Sequence, residues 1–210
     1  MEKLSLNNKL KLFEFLNDEI NLSEFQNFIF QTKELEDELG KEIYNYLILL
    51  NPNDKNVIKR VKYLVSKIIS EGEFETWKLT GLLKKFINEP QKLKEYLDIF
   101  YDLFCGSFDE EKREIRLGYT FLEHLGMNYF WWMDESYLRY NYGSNWKSEY
   151  RKRLNNLDFY HRQLKPIAEK ILNAINQGDI KIISKGKYEI TEELKQELEP
   201  NKIFLLKHPE

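Results

Sequence analysis

The residues able to carry chemistry are few and scattered. His124, His161 and His208 stand far apart, and none forms the paired spacing by which a helix presents two imidazoles to one metal ion. Cys105 is the single cysteine, which excludes a disulfide within the chain and a cysteine zinc site. A thiol nucleophile would need a histidine base, and the place of Cys105 at the end of an amphipathic stretch predicts a packed or idle thiol instead. Neither a glycine-rich phosphate loop nor a GxSxG elbow occurs. The best-placed neighbouring carboxylates are Asp134 and Glu135, next to Trp131 and Trp132. Two such acids could share proton transfer, but an Asp ahead of ESYLRY is also the pattern of a capped helix start. The sequence predicts no catalytic residue, no cofactor and no metal.

Chemistry of a different kind is offered by charge. Glu34, Glu36, Asp37, Glu38 and Glu42 fall within nine positions. On a helix Glu34, Asp37 and Glu38 share one face at i, i+3 and i+4, where like charges repel by a few tenths of a kcal/mol per pair. A local cost without a local gain points to a basic partner; the alternative is an ordinary solvated helix. Residues 1–50 carry five lysines against ten acids, whereas residues 51–170 carry twenty-one basic against eighteen acidic. This balance makes nucleic acid an unlikely main partner. A stripe of Lys55, Lys59, Arg60, Lys62 and Lys67 reads as a solvated face, with nucleic-acid contact as its lesser alternative.

Aromatic residues are the third resource. Thirteen lie between Tyr119 and Tyr160, and this segment holds three of the four tryptophans. Tyr129, Phe130, Trp131, Trp132 and Met133 run without a break, and Trp146 follows. Rings bury more area than other side chains, so the segment is expected to form core that other helices wrap. Part of it could instead stay exposed as an anchor for a partner, since binding hot spots favour Trp and Tyr. Gly126 before the run and Gly143 after it predict turns at both ends.

The elements that must position these residues are mostly helices. Apolar spacing predicts a helix capped by Asn7 or Asn8, a second one opened by a Ser23–Gln26 capping box, a third in KELEDELG ended by Gly40, and an apolar segment from Ile43 to Leu50 that stops at Asn51-Pro52. Val57, Val61, Leu64, Val65 and Ile68 mark one face of the next helix, and two more follow over residues 75–87 and 91–104. DEEKRE reads as a loop or helix start. From Phe159 to Gln177 helical spacing crosses Pro166, which predicts a kinked helix or two abutting ones. DIKIIS and KYEI around Lys185-Gly186 predict a hairpin, TEELKQEL a short helix, and KIFLL a possible third strand. The fold class is thus mainly α, a single multi-helix domain over 1–210 with a small β element confined to 180–206. No signal-peptide core and no apolar run of membrane-spanning length occurs, which predicts a cytoplasmic protein without a membrane partner.

Taken in order, FLNDEINLSEFQNFIF, LEDELGKEIYNYLILLN, FETWKLTGLLKKF, GYTFLEHLGMNYFWW, NWKSEY and FYHRQLKPIAEKIL resemble bacterial immunity proteins, the neutralisers encoded beside polymorphic or contact-dependent toxins. The resemblance implies a non-catalytic protein that binds and occludes a cognate toxin, and it transfers no catalytic residue. Many such toxins are nucleases with basic clefts, to which an acidic face over Glu34–Glu42 would be complementary. The rival expectation is a small-molecule binder or enzyme with a pocket of Trp131, Trp132, Trp146 and Tyr142 and a polar group from Asp134 or Glu135.

Overall fold

Ser5 opens the first helix by accepting a hydrogen bond from the Asn8 backbone amide, so that α1 runs Leu6–Leu16. The cap therefore lies two or three residues before the Asn7 or Asn8 expected. A computed structural model describes residues 4–52, 54–109, 114–116 and 118–198, the side chains of 107–109, 114–116 and 130 excepted. These fall into two compact units, residues 1–74 and 75–210.

In the first unit α1 is followed by α2 (Leu22–Gln31), α3 (Glu34–Leu39), α4 (Lys41–Ile48) and α5 (Val57–Ile68). The capping box of α2 is Asn21 with Glu24 rather than Ser23 with Gln26. Asn21 sits where the backbone is still extended, so its side chain reaches the Glu24 amide at 3.0 Å while the Glu24 carboxylate returns to the Asn21 amide at 2.8 Å. Gly40, at φ 82°, lets α3 end and α4 begin within one residue, a conformation that a side chain would resist. The core joins Leu12 and Phe15 of α1, Phe25 and Ile29 of α2, Leu35 and Leu39 of α3, Tyr44 and Leu47 of α4, and Val57, Val61 and Val65 of α5. Phe15 and Phe25 stack at 4.0 Å. Each of these side chains contributes about 1.5 to 3 kcal/mol through burial.

A helix α6 (Glu71–Asn88) carries the chain into the second unit, where α7 (Leu93–Cys105), α8 (Glu123–Met133), α9 (Glu135–Tyr142), α10 (Trp146–Leu154), α11 (Leu157–Gln177) and α12 (Glu192–Leu198) follow. Two antiparallel hairpins interrupt them. The first pairs β1 (Ser107–Asp109) with β2 (Glu114–Arg116), and the second pairs β3 (Ile180–Ser184) with β4 (Lys187–Ile190). The β structure is therefore not confined to 180–206. Each strand of the first hairpin has one apolar residue between polar ones, a period-two signal too short to stand out beside DEEKRE. KIFLL lies outside the described residues.

Gly126 corrects a further expectation, because it lies inside α8 and makes no turn. A Cβ there would come within 2.9 Å of the Phe100 carbonyl oxygen and 3.0 Å of the Tyr101 Cα, so glycine allows α8 to approach the backbone of α7. Gly143 does mark a turn, at φ 50° after α9. Pro166 sits within α11, which continues as one element; the proline ring removes only the amide hydrogen that would bond to the Arg162 carbonyl. Around α11 pack Leu83 and Phe86 of α6, Phe100 of α7, Leu125 and Trp132 of α8, and Ile180 of β3.

Candidate functional site

The acidic residues are all placed by the first unit. Leu35 and Leu39 face its core, which turns Glu34 and Asp37 outward and leaves Glu36 and Glu38 half-exposed. Glu34, Glu36 and Asp37 occupy the first turn of α3, where the positive end of the helix dipole offsets part of their mutual repulsion. Glu38 accepts a hydrogen bond of 2.8 Å from the side-chain amide of buried Asn8. Glu42 is exposed in the first turn of α4. Elsewhere in this unit Glu73 pairs with Lys9, Glu14 with Lys11, Asp54 with Arg60 and Asp18 with Lys62, while Glu19 accepts from the Asn17 side chain and Glu24 from the Asn21 backbone. Among the described residues none of the five carboxylates from Glu34 to Glu42 has such a cation, although Lys33 and Lys41 adjoin them in sequence.

Between α4 and α5 lies a groove of about 790 Å³. Glu42, Ile43 and Tyr46 form one wall. Asn56, Lys59, Arg60, Tyr63 and Leu64 form the other, a stripe at helical spacing that runs beside the buried one of Val57, Val61 and Val65. Tyr46 is 43% and Tyr63 66% exposed. Among the described residues neither ring meets another ring, and the Lys67 ammonium lies 5.1 Å from the Tyr63 centroid. Arg60 is held by Asp54, while among the described residues Lys59 has no carboxylate. The basic stripe read from the sequence is thus divided: Lys59 and Arg60 line the groove, Lys62 pairs with Asp18, and Lys67 covers Tyr63. The signal that could have found the groove is the row 56, 59, 60, 63, 64 with two apolar members on a face the core does not use.

The aromatic segment is used differently. Trp132 and Met133 are buried in the second core, and Tyr129 and Trp131 are half-buried against it. The side chain of Phe130 lies outside the described residues. Trp131 meets Tyr137 edge-on at 5.0 Å, and Trp132 meets Tyr160 at 5.4 Å. Trp146 is half-exposed, with the Arg139 guanidinium 4.7 Å and the Lys147 ammonium 5.7 Å from its ring. Burial, with the charge and hydrogen bond of Asp98, pushes the Tyr129 phenol up to about 12.

At the centre stands Arg153, 2% exposed, which the sequence did not single out. Its guanidinium donates to the Trp132 carbonyl at 2.7 Å, to the Trp131 carbonyl at 3.4 Å and to the Tyr142 hydroxyl at 3.0 Å. The carbonyls are orphans of the last turn of α8, where the helix dipole favours a cation. The Trp132 and Tyr142 rings lie 5.0 Å and 5.3 Å from the guanidinium carbon. Asp134 caps α9 by accepting from the Tyr137 amide at 2.7 Å, and Glu135 is paired with Arg139. Both carboxylates proposed for a pocket are thus engaged in local structure.

His124 and His161 are buried, and an His161 ring nitrogen lies 2.8 Å from the Phe86 carbonyl oxygen. Burial holds the His124 imidazole below its ordinary pKa. Cys105 is exposed at the end of α7; a hydrogen bond to its thiol, and then burial, hold the Tyr101 phenol above its usual range. His208 lies outside the described residues. Among the described residues no three His, Cys, Asp or Glu side chains gather as a metal site, and no helix is long and apolar enough to cross a membrane. No family model, no curated protein and no solved structure matches the chain.

Proposed function

We propose that this chain is an immunity-type protein of the cytoplasm that binds and neutralises a cognate protein toxin, without catalysis, through the acidic face of α3 and the start of α4. The observation that carries this is a cluster within one unit: Glu14, Asp18, Asp54 and Glu73 each hold a cation and Glu19 and Glu24 stand singly, while Glu34, Glu36, Asp37, Glu38 and Glu42, five acids in nine positions, hold none among the described residues. Carboxylates not neutralised by a cation raise the rate of encounter with a basic surface, such as the cleft of a nuclease, and select against acidic ones. Exposed charges contribute little to stability, so such a face can be kept for binding at low cost to the fold. The resemblance in sequence points the same way. The rival pocket around Trp131, Trp132 and Trp146 is less favoured, because Asp134 and Glu135 serve as cap and ion-pair partner.

The test is to identify the protein encoded beside this chain and, where it has a toxin-like domain, to measure association with it. Replacing Glu34, Asp37 and Glu38 together with Lys should slow association at least about tenfold at low salt and flatten its salt dependence. Binding indifferent both to that triple reversal and to salt would remove the acidic face from the function.

A further inference from the structure

We infer that the groove between α4 and α5 is the seat of a helical segment of the toxin, one whose apolar stripe packs between Tyr46 and Tyr63 and whose flanking charges are a carboxylate facing Lys59 and a cation facing Glu42. This rests on the toxin-binding function proposed above and names what the partner must present.

The choice of occupant follows from the walls. Both are helices, and neither offers a strand edge; an extended peptide would leave its backbone donors and acceptors unpaired against them. A helix satisfies its own backbone and needs only side-chain contact. The stripe from Asn56 to Leu64 is eight residue steps, or about 12 Å of helix, which matches about two turns of a third helix laid between two others. Two turns present apolar residues at i, i+3 or i+4, and i+7, the pattern by which amphipathic helices enter grooves. Tyr46 and Tyr63 lie on opposite walls, exposed and without ring partners among the described residues, whereas Phe15 and Phe25 of the same unit are stacked in its core. Rings of this kind lose little conformational entropy when covered and are the usual anchors of an interface. The charges add polarity. Glu42 stands on the α4 wall and Lys59, without a carboxylate among the described residues, on the α5 wall, so a helix of the wrong charge order places like charges together and is rejected. Glu42 also belongs to the acidic face, which makes the groove continuous with the surface that steers the toxin in.

The probe is a set of capped helical peptides of about 16 residues on an Ala/Gln host, long enough to populate a helix. One carries a Leu/Trp stripe flanked by Glu and Lys, a second has the two charges exchanged, and a third has the same composition scrambled. Backbone amide shifts of the full-length protein should move in α4 and α5 with one of the two ordered peptides and not with the scrambled one. Tyr63→Ala should weaken that binding at least about tenfold, and Lys59→Glu, which makes both walls acidic, should abolish the preference between the two ordered peptides. Both positions are exposed, and an unchanged melting temperature will show that the variants fold. Binding of the scrambled peptide equal to the ordered ones, shifts located elsewhere, or self-association of the protein that Tyr63→Ala abolishes would each overturn the assignment, the last by making a second copy the occupant. Should the peptides fail while the triple reversal at Glu34, Asp37 and Glu38 still impairs toxin binding, only the groove is lost. Should the peptides bind as expected while toxin binding ignores the reversal, the acidic face is lost and the groove stands.

Discussion

The two units place their aromatic side chains differently. In residues 75–210 many rings turn inward, although Tyr140 is 89% exposed: Trp132, Tyr119, Phe121 and Tyr160 are nearly inaccessible, and a buried cation is folded in among them. In residues 1–74 the rings are fewer, yet Tyr46 and Tyr63 are left to solvent along a groove next to uncompensated carboxylates. Density of aromatic residues in a sequence therefore marks where a core is thick, while accessibility is decided by which faces of the helices the core consumes. A short apolar stripe leaves the remainder of a helix free, and α5 shows this with Val57, Val61 and Val65 inside and Tyr63 outside.

Substitutions can break or sharpen that contrast. The largest effect is expected at Trp132, where Trp132→Ala should cost about 3 to 5 kcal/mol in denaturant unfolding, since it removes a buried ring together with a face of the Arg153 site. Near-native stability would mean that the ring does not support the second core. Next comes Gly126→Ala, which should cost about 1 to 3 kcal/mol, because the new methyl meets the α7 backbone, which cannot rotate away as a side chain could.

A smaller effect follows from His124. Its pKa is lowered in the folded chain, so below about pH 6.5 the unfolded chain takes up a proton that the folded one refuses. The corresponding stability is fully present above pH 6.5 and is lost as the pH falls toward the folded pKa, by at most about 1.4 kcal/mol per pH unit. Melting temperatures recorded at pH 7.5 and 5.5 should therefore diverge more for the native chain than for His124→Gln. The smallest effect belongs to the first unit: Tyr46→Ala and Tyr63→Ala should each change stability by no more than about 0.5 kcal/mol. A cost of several kcal/mol at either tyrosine would show that it supports the fold and would erase the difference between the units.

Much of the fold was legible because helical periodicity is a local property. The stripe of α5, the end of α3 at Gly40 and the hairpin at Lys185-Gly186 each follow from residues close in sequence. What escaped is what depends on partners far along the chain. Gly126 reads as a turn until the backbone of α7 is beside it, and Arg153 draws no reading at all until the carbonyl end of α8 lies over it. The same holds for the candidate site. The five acids could be picked out by type, but their lack of cations among the described residues is a fact of three dimensions, as is the groove that joins Ile43 and Tyr46 to Tyr63 and Leu64 across the α4–α5 connection.

Arg153 also bears on how the second unit breathes. A buried lysine or glutamate can escape the cost of lost hydration by changing its protonation, but a guanidinium keeps its proton at every pH at which proteins fold. The relief open to it is water. Any local opening that lifts α9 and α10 returns to Arg153 the hydration it gave up, which lowers the free energy of that opening relative to one that exposes only the apolar seam between α7 and α8. Amide hydrogens of α9 and α10 should accordingly exchange with solvent well before those of α7 and α8, and with little dependence on pH beyond the chemistry of exchange itself. The interior of this unit is then a rigid seam with one hydrophilic hatch, held shut by a single side chain.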